Sequence, residues 1–179
     1  MMKELIFPGE EFFHRDCLEL APALVGKLLI RTLENGEKIS LRITETEAYR
    51  GEEDTACHAS RGRTERNRLL WEKPGTIYVY LCYGIHDLMN IISGEEGQPQ
   101  GVLIRACKGY EGPARLTKKL CIDRSFNGRQ IVGNPYIAVA DDGYSPEITA
   151  KKRVGIDYAT PEYRDILWRF CDSGTVTHK

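Results

Sequence analysis

The stretch KLLIRTLENGEKISLRITETEAYRG, residues 27–51, decides the fold because it holds two β-rich runs separated by a turn dipeptide. Asn35-Gly36 is typical of a two-residue type I′ hairpin, so we expect two antiparallel strands here. Alternation along the second strand predicts one shared face for four side chains: Ile43, Glu45, Glu47 and Tyr49. Two carboxylates on one face either belong to an ordinary solvated surface, or at least one of them is a catalytic group.

The rest of the chain continues this mixed pattern. RDCLELAPALVG, residues 15–26, predicts an amphipathic helix that Gly26 ends. GTIYVYLCYGIHDLMNIIS, residues 75–93, predicts a second hairpin with its tip at Tyr83-Gly84. Further along, GVLIRAC and NPYIAVADD predict strands, and GPARLTKKLCI predicts a helix with Pro113 in its first turn. The order of elements predicts a mostly antiparallel α+β fold.

Length and composition predict one soluble globular domain spanning residues 1–179. The chain is 41% hydrophobic and 28% charged. It has no apolar run near the roughly 20 residues that span a bilayer, and its start lacks the apolar core of a secretory signal. We therefore expect a cytoplasmic protein without a membrane partner. Its six cysteines include no CxxC pair, which argues against a metal site and a disulfide framework and favours free thiols.

Residues 50–74 form a long polar segment that is rich in arginine. Four arginines stand against one acidic residue, Glu65, within SRGRTERNR: Arg61, Arg63, Arg66 and Arg68. They are either phosphate clamps or a solvated charged face. A set of flat, polar-tipped rings surrounds this segment in sequence: Tyr49, His58, Tyr78, Tyr80, Tyr83 and His86. Such rings either stack on bases or pack half-buried in the sheet, and Tyr83 is either a wedge or a turn residue.

Several motifs, taken together, resemble a known family. ETEAYRGEEDTACHASRGRTERNR, PGTIYVYLCYG, MNI, GVLIRA and RVGIDYA occur in order between about Leu18 and Phe170. They are similar to the alkyladenine DNA glycosylases, the mammalian-type 3-methyladenine DNA glycosylases. The resemblance implies a monofunctional base-excision enzyme that flips a damaged purine out of the duplex and hydrolyses its N-glycosidic bond. It implies a single compact α+β domain with a curved sheet core, flanking helices and a protruding DNA-wedge hairpin.

The resemblance also implies roles for individual residues of the reaction centre. Glu47 matches the general base, and Arg105 together with the backbone carbonyl of Val154 matches the groups that hold the attacking water. Tyr49 corresponds to one side of the base pocket, and His58 and Tyr80 correspond to the other. Two further base-pocket positions are Leu103 and Asn90, the second being a gate against the amino group of normal guanine.

For the duplex, the resemblance implies that Tyr83 is the intercalating wedge. Seven further residues are implied as DNA contacts: Arg61, Arg63, Arg66, Arg68, Ile85, His86 and Arg115. The expected partner is double-stranded DNA with damaged purines such as 3-methyladenine, 7-methylguanine or hypoxanthine. We expect a monomer that needs no cofactor and no metal, and that, in a bacterium, lies in the cytoplasm with the chromosomal DNA.

Alternatives remain open at this point. The chain is either a glycosylase, a non-catalytic binder of damaged nucleic acid, or a hydrolase of free nucleosides. Glu45 is interpreted as a supporting charge paired to an arginine, which would raise the pKa of Glu47 while Arg105 lowers it. Four aromatic residues are assigned to packing: Tyr136, Tyr144, Tyr158 and Trp168.

Overall fold

One long strand organises the protein. The computed structural model describes residues 4–174. Its strands are β1 (Leu28–Thr32), β2 (Lys38–Arg50), β3 (Ile77–Cys82), β4 (His86–Ile92), β5 (Gln100–Cys107), β6 (Tyr110–Glu111), β7 (Ile137–Ala140), β8 (Ile148–Lys151) and β9 (Arg169–Asp172). They form one curled antiparallel sheet in the order β3-β4-β5-β2-β1-β7, with β6 beside β5 and with β9 joining β2 to β8. The expected α+β class with a curved antiparallel core is therefore confirmed.

Short helices lie against this sheet. They are α1 (Glu10–Phe13), α2 (Cys17–Leu24), α3 (Pro113–Lys119) and α4 (Pro161–Arg164), with 3₁₀ turns at His58–Arg61, Arg68–Trp71 and Arg124–Phe126. The Asp16 side chain caps α2 by accepting from the Leu18 N–H at 2.9 Å. The predicted Pro113 helix and the helix before Gly26 are confirmed. None of the helices within residues 4–174 is long and apolar enough to cross a membrane.

The two hairpin tips differ from each other. Between β3 and β4, Tyr83 and Gly84 both have positive φ, as a type I′ turn requires. Between β1 and β2 only Gly36 has positive φ, and its N–H bonds to the Leu33 carbonyl at 2.9 Å. The predicted two-residue type I′ turn at Asn35-Gly36 is therefore wrong: Asn35 does not adopt the left-handed conformation that this turn needs.

A second correction concerns the face of β2. Leu41, Ile43 and Ala48 all belong to the main hydrophobic core, although strict alternation would put Ile43 and Ala48 on opposite faces. Thr46 also points to the core side, since its hydroxyl donates to the Ala21 carbonyl of α2 at 2.7 Å. A register shift near Thr44 reverses the alternation. Ile43 therefore does not share a face with Glu47 and Tyr49, as the sequence pattern had predicted.

The long arginine-rich segment is ordered by its own buried residues. Cys57, Ala59, Leu69 and Leu70 pack with Tyr78 and Ile92 as a second cluster over the sheet. Asn67, also buried, fixes the segment by donating to the carbonyls of His58 and Gly62 at 3.0 and 2.8 Å. The six cysteines are free thiols, and no group of three or more potential metal ligands occurs within residues 4–174.

Candidate active site

Two irregularities in the β2–β5 ladder place the central charged groups. The successive pairs are Ile43 with Cys107, Glu45 with Ala106, and Thr46 with Ile104. This register leaves Thr44 of β2 and Arg105 of β5 without a partner across the ladder. Bulges re-aim side chains and occur often beside active sites. Here they bring Glu47 and Arg105 together, with the Arg105 Nε 3.3 Å from the Glu47 Oε1. Arg105 lines a large cavity, and the buried Glu47 lies behind the wall of that cavity.

Glu47 is completely buried and held by three groups. Its Oε1 accepts from the Val154 N–H at 2.9 Å and faces Arg105. Its Oε2 accepts from the Tyr49 hydroxyl at 2.7 Å. Each oxygen thus accepts one hydrogen bond, and Arg105 adds an ion pair at Oε1. A carboxylate oxygen can accept about two hydrogen bonds, so Oε2 has one acceptor site that the Tyr49 hydroxyl does not use. The Val154 N–H thus contacts Glu47. The resemblance assigns the Val154 carbonyl a different role, holding the attacking water, and that role stays a prediction.

The pKa of Glu47 is raised, chiefly because burial disfavours the charged form. Arg105, the Tyr49 hydroxyl, the Val154 N–H and Arg169 all lower it in part. Glu45 is not the cause of the rise, because its carboxylate is paired with the Arg169 Nη1 at 3.1 Å. Its expected pairing with an arginine is thus observed. A carboxylate with a raised pKa is a stronger base once it is ionised.

Aromatic rings form the walls of the cavity. His58 and Tyr80 lie in an edge contact with ring centres 4.5 Å apart, and Tyr49 also lines the cavity. The His58 Nδ1 lies 3.0 Å from the Tyr78 hydroxyl. Burial lowers the pKa of His58 and raises that of Tyr78 to about 12. His58 is therefore neutral at pH 7, and the Tyr78 hydroxyl stays protonated and able to donate to it.

Leu103 and Asn90 also line the cavity. Leu103 pairs with Glu47 across β2 and β5 and with Asn90 across β4 and β5. Asn90 is buried, and its Nδ2 donates to the Tyr78 carbonyl at 3.2 Å. Its amide is thus fixed in orientation at the cavity, where a rigid group can exclude one ligand and admit another of slightly different shape.

The rim carries positive charge and the hairpin tip. Arg61, Arg66, Tyr83 and His86 line the opening, and Tyr83 is 88% exposed. Arg66 is tied to the hairpin because its Nη2 donates to the Leu81 carbonyl at 2.9 Å. These side chains form a basic, aromatic margin around the cavity.

The other candidate DNA contacts lie outside the cavity lining. Arg63 stands over Trp71, with its guanidinium carbon 5.8 Å from the ring centre. Arg68 forms an exposed ion pair with Glu65 at 3.5 Å. Ile85 and Arg115 are exposed. All four side chains are exposed to solvent.

Sequence reasoning missed two contributors. Tyr158, which had been assigned to packing, lines the cavity, and its hydroxyl donates to the Ala56 carbonyl at 2.8 Å. Asn67, the second, holds the arginine-rich segment in place through its hydrogen bonds to the carbonyls of His58 and Gly62. Nothing in the local pattern marks either residue, although the motif RVGIDYA already contains Tyr158.

The cavity measures about 750 Å³ and is lined by a set of rings and by arginines. The buried Glu47 carboxylate lies directly behind its wall, in contact with Tyr49, Arg105 and Val154. Flat rings suit a flat, aromatic ligand, and arginines suit phosphates. A buried carboxylate with a free acceptor site suits activation of a water.

Comparisons with known proteins agree with this chemistry. The profile of the family described as Methylpurine-DNA glycosylase (MPG) matches residues 11–111 and 108–176. The chain is 40% identical over 190 residues to a protein of Desulfitobacterium hafniense (strain Y51), covering 90% of this chain and 93% of the relative. It is 41% identical over 187 residues to a protein of Nitrosococcus oceani (strain ATCC 19707 / BCRC 17464 / JCM 30415 / NCIMB 11848 / C-107), covering 94% and 90%. Both relatives carry the name "Putative 3-methyladenine DNA glycosylase".

Proposed function

Because the chain belongs to the methylpurine-DNA glycosylase family, we propose that this DNA repair glycosylase excises alkylated purines with a water that Glu47 activates. The observation that carries the proposal is the buried Glu47 carboxylate, which is held by three residues that line an aromatic cavity: Tyr49, Arg105 and Val154. The ligand is a purine such as 3-methyladenine or 7-methylguanine, with hypoxanthine as a deaminated substrate. The partner is double-stranded DNA, and the enzyme acts as a monomer whose single domain covers residues 1–179.

Flipping delivers the base to this cavity. A base inside a duplex is out of reach, so the enzyme extrudes it at an expense of a few kcal/mol of unstacking. Tyr83, exposed at a tight turn, fills the gap left in the stack. The flipped purine lies between Tyr49 on one side and His58 with Tyr80 on the other. Asn90 rejects guanine because its fixed amide would meet the exocyclic amino group.

Hydrolysis then needs one base and a stabilised sugar cation. Glu47 accepts a proton from water through its free Oε2 site while the water oxygen bonds to the sugar C1′. The bond from C1′ to the purine nitrogen breaks, and its electron pair leaves with the base. A methylated purine that began as a cation therefore departs neutral and needs little acid assistance. The ionised Glu47 also stabilises the oxocarbenium character of the sugar.

Substitution of the general base tests this mechanism. Glu47→Gln keeps the size of the side chain but removes its basicity, and losing a positioned base typically slows a reaction by about 10²–10⁴-fold. The assay is single-turnover release of 7-methylguanine from methylated duplex DNA. Glu45→Gln, compared with E47Q at a pH where Glu47 is fully ionised, is the matched control, because Glu45 is two residues away and is paired with Arg169. An E47Q rate equal to that of the wild type would refute the assigned role.

The same assay separates the alternatives. A damage binder would release no base, whereas a monofunctional glycosylase would release the base and leave an abasic strand without a nick. Tyr83→Ala distinguishes a duplex enzyme from a nucleoside hydrolase. It should abolish most excision from duplex DNA, whereas hydrolysis of free nucleosides would be unaffected.

A further inference from the structure

A buried ion pair lies behind the wall of the candidate site, in residues to which the proposed mechanism gives no role. The Arg153 guanidinium donates to both oxygens of Asp54, at 2.6 and 2.8 Å, and both side chains are 0% exposed. This two-pronged contact fixes the plane of the guanidinium. Asp54 also accepts from the N–H groups of Arg50 and Ala56, each at 3.1 Å. The pair therefore ties Arg153 to the segment that leads from Tyr49 to His58.

Arg153 reaches the reaction centre from the other direction. Its Nη1 donates at 2.9 Å to the carbonyl of Ala48, the residue between Glu47 and Tyr49. Its guanidinium carbon lies 4.7 Å from the centre of the Tyr49 ring, which is the range of a cation–π contact. The next residue along the chain, Val154, donates its N–H to Glu47. The Arg153 guanidinium thus fixes the Tyr49 ring, and its own chain neighbour supplies the N–H that donates to Glu47, the proposed general base.

Stability alone is a weak reason for such a pair. Two charges lose much hydration on burial, and well-packed apolar residues of similar volume often replace a buried pair without loss of stability. Within residues 4–174, the Arg153 Nε also has no hydrogen-bond partner, which makes burial of the pair still less favourable. The pair does, however, join three separate parts of the cavity wall at fixed distances.

We propose that Asp54 and Arg153 are positioning residues that hold Tyr49, Val154 and through them Glu47 in the geometry for base excision. The inference rests on the proposed glycosylase function. Misplacement of a reacting group by about 1 Å is enough to slow a reaction by roughly 10²-fold. Loss of the two hydrogen bonds between Arg153 and Asp54 is therefore expected to lower the rate of the chemical step more than the affinity for DNA.

The charge of the pair gives a second, independent consequence. Glu47 is faced by Arg105, Arg169, the Tyr49 hydroxyl and the Val154 N–H, with Glu45 neutralising part of the Arg169 charge. Asp54 balances the charge of Arg153 behind Ala48. Asp54→Asn would leave that cation unbalanced and would favour the ionised form of Glu47. The acid limb of the pH–rate profile should then move to lower pH, by up to about 1 pH unit.

Three variants separate charge, geometry and folding. Arg153→Lys keeps the positive charge but cannot donate two parallel hydrogen bonds to Asp54. The excision rate at high pH, where Glu47 is ionised, should therefore fall by about tenfold or more, while the pH at which the rate declines on the acid side should not change. Asp54→Asn should lower the plateau and shift the limb. The double variant Asp54→Asn with Arg153→Met leaves no unpaired buried charge, so it should fold while its rate stays low. Asp165→Asn, in the exposed Lys152–Asp165 pair, is the control expected to match the wild type.

The experiment is single-turnover release of 7-methylguanine across pH 5–9, with thermal unfolding and affinity for undamaged duplex DNA measured in parallel. A folded double variant that excises at the wild-type rate would overturn the proposal. So would rate losses that merely follow the folded fraction with no shift of the acid limb for Asp54→Asn. If the wild type and Asp165→Asn released no methylated base, the glycosylase function itself would fail, whatever the ion pair does.

Discussion

The hydroxyl of Tyr49 offers the sharpest test of how Glu47 is tuned. Tyr49→Phe keeps the ring that lines the cavity and removes the single bond from the hydroxyl to the Glu47 Oε2, 2.7 Å long. Val154 and Arg105 both contact the other oxygen, Oε1. The substitution therefore removes the donor on Oε2 while leaving those on Oε1 in place.

The expected size of the effect follows from the chemistry of this bond. A hydrogen bond to a charged group contributes about 1.5–3 kcal/mol, which corresponds to a pKa change of about 1–2 units. The hydroxyl lowers the pKa of Glu47, so its loss must raise that pKa further. Excision requires the ionised carboxylate. The acid limb of the rate profile should therefore move up by about 1–2 pH units, with a smaller change at high pH, where Glu47 is ionised in both proteins.

The assay is single-turnover release of 7-methylguanine from duplex DNA between pH 5 and 9. Tyr78→Phe is the matched control, since it removes a ring hydroxyl of the same cavity that contacts His58 instead of Glu47. It should leave the position of the acid limb unchanged. An acid limb that stays in place in Tyr49→Phe, or moves to lower pH, would refute the idea that this bond tunes the base.

Three further outcomes are expected. Because the pKa of Glu47 is raised in the folded state, stability is lost as pH rises from the usual glutamate pKa toward the folded one; urea unfolding should show the Glu47→Gln variant gaining stability relative to wild type over that range. Arg61→Gln should reduce the slope of log affinity for duplex DNA against log salt by about 0.9 if Arg61 binds one phosphate, whereas Lys38→Gln, exposed in the β1–β2 hairpin, should leave it unchanged. Asn90→Ala should increase release of undamaged guanine relative to 7-methylguanine, measured on paired duplexes, and an unchanged ratio would remove Asn90 as the gate.

Local sequence rules located most of the elements correctly. The spacing of apolar residues and the stop at Gly26 predicted α2, and Tyr83-Gly84 predicted the tip of the second hairpin. These features depend on residues a few positions apart, so the sequence displays them directly. Local rules left Glu45 and Glu47 open, and the family resemblance carried by the motif around Glu47-Ala48-Tyr49 made Glu47 the candidate base.

Tertiary structure decided how those residues meet. The shift of register at Thr44 and Arg105 depends on pairing between β2 and β5, and alternation within β2 alone predicted the wrong face for Ile43. The contact of Val154 with Glu47 joins residues 107 positions apart. The sequence by itself determined the strands, the hairpin tip and the identity of the catalytic candidate. Only the folded chain decided which donors surround that carboxylate, because register and long-range packing are set by many distant residues at once.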